Sequence, residues 1–359
     1  MDHLNLDRLR SLAVVCLVLG AAVIAVLAVV QQPPSPWLPS GPLALSSDLA
    51  PTPHDRAEAK LDHVDAWINS WPLRPSELRG KVLLVNFWNF ACAQCLRTLP
   101  HIAALRRRFS QDDLVVIGVH TPEFDFERSP ATVAAAAQRL GVVWPVAVDN
   151  HRRTWRSFDN TVWPADYLVD RAGRIAYRHL GAGGYDSLIA ATSAVIEGSA
   201  VSSRQNEAAL QPGQVMDVYA GSERGSLAND EGYPRPNKVR SYADKSGTPP
   251  QPGQLLLTGS WSDRRQYLHA HSDGHVRLRF RGKQVFLVAG TSSGAASPVS
   301  ISVDNRSPSP DGVGAAVNGD RLVVDHPDLY EILRGLSPGD HLLELAVPAG
   351  LDLYLLSIA

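Results

Sequence analysis
Cys92-Ala93-Gln94-Cys95 separates two segments whose apolar patterns have different periods. Before it, Lys81-Val-Leu-Leu-Val-Asn-Phe-Trp88 is almost unbroken apolar sequence, the pattern of a strand buried on both faces. After it, Leu96, Leu99, Ile102, Leu105 and Phe109 recur at helical spacing, with Arg97 and Arg106 to Arg108 on the opposite face. The cysteine pair thus falls where a strand hands over to the N-terminus of a helix, which confines this part of the chain to a layered α/β fold. A helix N-terminus offers partial positive charge and free N–H groups, so a thiol there ionises readily, and the thiolate is the reactive form. Cys92 is expected to attack a partner's disulfide. Cys95, one turn inward, would then resolve the mixed disulfide.

Other uses of the pair fit less well. The chain has three cysteines, and Cys16 lies in an apolar N-terminal run, so a four-thiolate zinc site is impossible and no metal is expected. An inert structural disulfide closing so short a loop would gain little. A formal net charge of −2 with interspersed signs lacks the clustered basic face of a nucleic-acid binder. With 359 residues, two domains of ordinary size plus linkers are expected.

The N-terminus suggests an address. Arg8 and Arg10 precede an uncharged stretch, Ser11 to Val30, dominated by Ala, Val, Leu and Ile and long enough to span a bilayer. The flanking arginines predict a cytoplasmic tail over 1–10, a transmembrane anchor over 11–30, and everything beyond on the extracytoplasmic side of the cell membrane. Cleavage after Val26-Leu27-Ala28 is the alternative, although the apolar run continues past it. Residues 31–60, with Pro33, Pro34, Pro36, Pro39, Pro42, Pro51 and Pro53, read as an extended linker rich in Pro and Ser.

From 61 to 200, apolar strands alternate with helical segments. Within this region Trp67-Ile-Asn-Ser-Trp71, Leu78-Arg-Gly-Lys-Val-Leu-Leu-Val-Asn-Phe-Trp88, Gly118-Val-His-Thr-Pro-Glu-Phe124 and Val162-Trp-Pro-Ala-Asp-Tyr-Leu-Val-Asp170 stand in order around the CxxC. Together they resemble the extracytoplasmic redoxin module of DipZ-type proteins and, more loosely, the TlpA-like membrane-anchored thioredoxins. The resemblance implies a thioredoxin-like α/β domain with Cys92 and Cys95 as its redox-active disulfide and no further cofactor. It places the family's cis-proline at Pro164, facing the CxxC, and substrate contacts at Trp163 and Trp88. Six residues before Cys92, where the thioredoxin pattern carries a buried carboxylate for proton transfer, this chain has Asn86, an amide that cannot titrate. Ala91 stands where tryptophan often precedes the first cysteine.

The implied activity is disulfide reduction in protein substrates, outside the cytoplasm, with electrons supplied by a separate membrane protein. An oxidant sharing the same site, and a binding or scaffold module whose function lies in the C-terminal domain, are the alternatives. A peroxidase fits poorly, because Asn89-Phe-Ala91 lacks the Pro and Thr that precede a peroxidatic cysteine.

Between 201 and 253 periodicity fades, as in an irregular connector. From 254 to 359 short alternating strands, such as Val276-Arg-Leu-Arg-Phe280 and Val299-Ser-Ile-Ser-Val303, predict an all-β, jelly-roll-like sandwich. Its order resembles the carbohydrate-binding-module-like domain that follows the redoxin in DipZ-type proteins. Trp261, Tyr267 and Tyr330 are candidate sugar platforms, with core packing as the competing reading. His269, His271 and His275 flank Asp273-Gly274, read as a two-residue hairpin turn, which would point His275 away from the other two.

Overall fold
The computed structural model describes residues 61, 64–199, 201, 206–207, 216–243, 250–292 and 294–359. The tail, anchor and linker expected over 1–60 lie outside the described residues. No helix among the described residues is long and apolar enough to cross a membrane.

The first domain is a mixed sheet covered by helices on both faces. Its strands are β1 (Ala66–Ile68), β2 (Val82–Trp88), β3 (Leu114–His120), β4 (Val146–Val148), β5 (Ala165–Val169), β6 (Ile175–Leu180) and β7 (Asn206–Glu207), in the order β1-β4-β3-β2-β5-β6-β7. β2, β3 and β4 run parallel, and β5 pairs antiparallel with β2. Every residue of β2 is buried, as its unbroken apolar run requires.

The helices are α1 (Pro75–Leu78), α2 (Ala93–Arg108), α3 (Pro130–Arg139), α4 (Arg153–Ser157) and α5 (Tyr185–Ile196). One face of β2 carries Val82, Leu84 and Trp88 into a core with Cys95, Leu99 and Ile102 of α2, Val133 of α3 and Leu188 of α5. The other carries Leu83, Val85 and Phe87 into a core with Trp155 of α4. Pro100 lies inside α2.

The second domain has two antiparallel sheets around one core. With β15 (Ser297–Val303), β16 (Val317–Asn318), β17 (Arg321–Val324) and β18 (Asp328–Leu333), six strands follow the order β10-β13-β19-β15-β17-β16, and the facing sheet runs β18-β14-β20-β12-β11-β9 with β8 added beside β20. The central strands are β13 (Gly274–Arg281), β14 (Val285–Thr291), β19 (Asp340–Val347) and β20 (Leu351–Ile358). The expected connector over 201–253 supplies β8 (Met216–Tyr219) to β20 and β9 (Val239–Tyr242) to β11 (Gly259–Asp263). These pairings depend on partners more than a hundred residues away for β8, which local periodicity does not record.

The Asp273-Gly274 hairpin is corrected. β12 (Leu268–Ala270) pairs with β11 and β20, whereas β13 pairs with β10 (Leu255–Leu257) and β19, so the chain changes sheets there. His269 bonds Asp352 and His275 lies against Glu344. Trp261 is fully buried with its Nε1–H donating to the Thr258 carbonyl at 2.8 Å, which removes it as a sugar platform. Tyr330 is buried as well, and Tyr267 packs on Tyr354 with ring centroids 4.6 Å apart.

Candidate active site
Cys92 is the N-cap of α2, with extended backbone dihedrals, and its Sγ accepts the Cys95 backbone N–H at 3.1 Å. The two cysteines are disulfide-bonded. Cys92 is half-buried and Cys95 has no exposure, so an incoming thiolate reaches Cys92 first. The half-buried sulfur of Cys92 and the sheltered sulfur of Cys95 are thus separated by one helical turn, at the end of the helix where a thiolate is best stabilised.

The Trp163–Pro164 peptide bond is cis. Phe87 pairs with Ala165 across β2 and β5, so Pro164 stands level with Trp88 at the sheet end from which the chain enters the CxxC. Trp163 is half-buried, 4.4 Å from Trp155 between ring centroids, with the Arg152 guanidinium 5.0 Å over its ring. Trp88 requires a correction. It has no exposure, and packs edge-on against His120 at 5.4 Å inside the core, so it supports the site from beneath and contacts no substrate.

Asn86 is fully buried, and its Nδ2 donates to Asp166 Oδ1 at 2.7 Å. Asp166 Oδ2 lies 3.1 Å from His179 Nδ1, and His179 Nε2 lies 2.6 Å from the Gly183 carbonyl. A carboxylate is therefore present next to the position where sequence shows only an amide; it has moved to the adjoining strand. Burial pulls His179 down, but the bond to Asp166, that carboxylate's charge and the Gly183 carbonyl together raise it above its ordinary value.

A second buried pair lies on the other side of the CxxC. Glu127 accepts the Ala91 N–H at 3.3 Å through Oε1, and the Glu123 and Phe124 N–H groups at 2.8 and 2.9 Å through Oε2. Burial pushes its carboxyl up to about 8 against the pull of these donors, and pushes neighbouring His120 down to about 3. Since His120 Nε2 is 3.9 Å from Glu127 Oε1, the two groups are adjacent without a hydrogen bond. Glu127 thus fixes the backbone directly before Cys92.

The sandwich abuts this site. Ala91 and Ala93, on either side of Cys92, share an apolar cluster with Phe124, Phe286, Val288, Leu329, Tyr354 and Leu355. Around it Arg97 donates to Gln284, Arg139 pairs with Asp328 at 2.6 Å, and Glu123 takes both the Tyr219 hydroxyl at 2.8 Å and Arg224 at 2.6 Å. The absence of a tryptophan at position 91 now has a cause. Ala91 is completely buried where the sandwich packs, and a large ring would collide with that domain. Sequence reading missed Asp166, His179, His120 and Glu127; for the first three the available signal was a titratable residue at an inward position of an otherwise apolar strand, whereas Glu127 lies on a short turn of helix, Asp125–Arg128, that gives no such signal.

Two family models match the chain. AhpC/TSA family covers residues 61–178, and Thioredoxin like C-terminal domain covers 216–357. Protein DipZ of Mycobacterium bovis is 30% identical over 256 residues, which span 64% of this chain and 34% of that protein's length. Thiol-disulfide oxidoreductase YkuV of Bacillus subtilis is 30% identical over 119 residues, covering 33% of this chain and 78% of YkuV. Thiol-disulfide oxidoreductase ResA of Geobacillus kaustophilus is 24% identical over 102 residues, or 28% of this chain and 56% of ResA. With a cysteine pair at the N-terminus of α2 and a thioredoxin-like sheet behind it, this chain belongs to the thioredoxin-like thiol–disulfide oxidoreductases to which DipZ and YkuV are related.

Proposed function
We propose that the chain is a membrane-anchored, extracytoplasmic reductase of protein disulfides, with Cys92 as nucleophile and Cys95 as resolving thiol. The observation that carries this reading is the half-buried Cys92 Sγ at the helix N-cap joined to a fully buried Cys95. In the dithiol form the Cys92 thiolate attacks a substrate disulfide, one substrate sulfur leaves as thiolate, and Cys95 then displaces the second, closing the Cys92–Cys95 bond. Pro164 and Trp163 border the approach to Cys92. The anchor over 11–30 would hold this chemistry outside the cytoplasm, where a reductase needs electrons from a membrane donor protein.

A thiol-trapping redox titration of the full chain in detergent tests the reading. A reversible two-electron transition near roughly −200 mV or below supports a reductase, and a value near about −120 mV supports an oxidant. If no Cys92–Cys95 disulfide forms and breaks, the scaffold reading replaces both. Insertion of the chain in vesicles, with protease protection of its termini, tests the anchor.

A further inference from the structure
Asn86, Asp166 and His179 lie on one face of the sheet, the face covered by α2 and α5. On β2, Val82, Leu84 and Trp88 occupy that face in alternation with Asn86, and share a core with Cys95, Leu99 and Ile102. Leu168 of β5 and Tyr177 of β6 join the same core, two residues along from Asp166 and His179 respectively. All three polar side chains have no exposure. Asn86 commits its Nδ2 to Asp166, while its Oδ1 has no hydrogen-bond partner among the described residues.

The hydrogen bonds fix how many protons the pair holds. The Gly183 carbonyl can only accept, so His179 Nε2 must carry hydrogen. Nδ1 faces Asp166 Oδ2, and a neutral imidazole there would oppose a lone pair to a carboxylate. One proton therefore sits between Asp166 and His179, on either atom, and the pair is neutral overall. Burial without that proton would leave an uncompensated negative charge in the core.

We propose that Asp166 and His179 form a proton-holding pair behind Asn86 that sets the pH range in which Cys95 can resolve a mixed disulfide. The proposal rests on the disulfide-exchange reading above. In the reduced protein, Asn86 Oδ1 is the acceptor for the Cys95 S–H. During resolution Cys95 loses that proton to solvent and its sulfur bonds to Cys92 Sγ. The bond between Cys92 and the substrate sulfur breaks, and its electron pair leaves on the substrate thiolate. While the pair keeps its proton, charge on Cys95 faces a neutral neighbour. Once the pair loses it, Cys95 ionises against a buried anion and resolution is suppressed. His179 lies above its ordinary value despite its burial, because Asp166 and the Gly183 carbonyl favour its protonated form. The other groups about the pair are Tyr167 on β5, which the Asp166 charge reaches, Tyr177 on β6, Tyr185 on α5, whose ring is 5.8 Å from His179, and Thr98 and His101 on α2, which bond and stack on Tyr185. Asp166 and His179 are positioning residues, since neither touches substrate.

The test is stopped-flow reaction of the reduced full chain with an aromatic disulfide, dithiobis-nitrobenzoate, across a pH series. Two releases of the coloured thiolate are expected, the first from attack by Cys92 and the second from resolution by Cys95. His179→Gln should slow the second by about tenfold at neutral pH while changing the first less than about twofold. The double variant Asp166→Asn with His179→Gln, which removes the charge with the proton, should return the second rate to within about threefold and erase its fall at alkaline pH. If the single variant fails to fold, the alkaline limb of the double variant's profile decides the matter alone. A second phase untouched by His179→Gln, or slower still in the double variant, overturns the pair's role and leaves the enzyme reading intact. A wild-type chain that gives one release only, with no Cys92–Cys95 disulfide, overturns the enzyme reading and the pair together.

Discussion

Behind the CxxC the redox domain encloses His120, Glu127, Asp149, Asp166 and His179 with 0% exposure, whereas the carboxylates and histidine buried in the sandwich, Asp263, Asp328, His341 and Asp352, each keep 5 to 8%. The sandwich core proper is apolar: Trp261, Leu278, Phe280, Leu343 and Leu353 pack between its sheets, and its charged groups sit at the rim. The two interiors are therefore built for different work. A dry core maximises burial and tolerates no titration. An interior that holds protons sacrifices some stability, and such perturbed groups gather where chemistry occurs. The contact between the two domains follows the same division, with an apolar centre against Ala91 and Ala93 and ion pairs around it.

Four experiments test this contrast. The largest effect belongs to the site: Cys92→Ser should abolish disulfide exchange, and Cys95→Ser should retain the attack and accumulate mixed disulfides, visible by mass spectrometry. Turnover by Cys92→Ser would remove the helix N-cap from its assigned role. In the dry core, Trp261→Ala should cost about 3–5 kcal/mol by denaturant titration, because a large cavity opens among aliphatic neighbours.

Glu127 should respond to pH. Its folded value of about 8 exceeds the ordinary 4.5, so the native state holds a proton that the unfolded chain has released between those limits. Stability therefore falls as pH rises through that window, by an amount on the order of a few kcal/mol. Glu127→Gln should flatten this slope, measured as denaturation midpoints at the two ends of the window; an unchanged slope would show that Glu127 does not carry it. Ala91→Trp is the smallest change. Overpacking where Val288 and Leu355 meet the redox domain should cost about 1–3 kcal/mol and separate the two domains' unfolding transitions. Unfolding indistinguishable from wild type would mean that the contact is not packed tightly enough to matter.

The elements that local pattern controls were legible in the chain before any fold was known. An unbroken apolar run makes β2, helical spacing makes α2, and the CxxC between them places Cys92 at an N-cap, because each of these rests on residues a few positions apart. Alternation along the C-terminal strands likewise announced an all-β domain. The rest depends on pairs remote in sequence that only folding brings together. Asn86 looked like the loss of a carboxylate, and only the register of β2 with β5 shows Asp166 beside it. Trp88 looked like a substrate contact at a strand end, and only the packing of β3 and His120 buries it. Ala91 stood where a tryptophan is often found, and only the docked sandwich explains its size. Hydrophobic period reports which way a side chain faces; what it meets there is set by the strand or domain that folds against it.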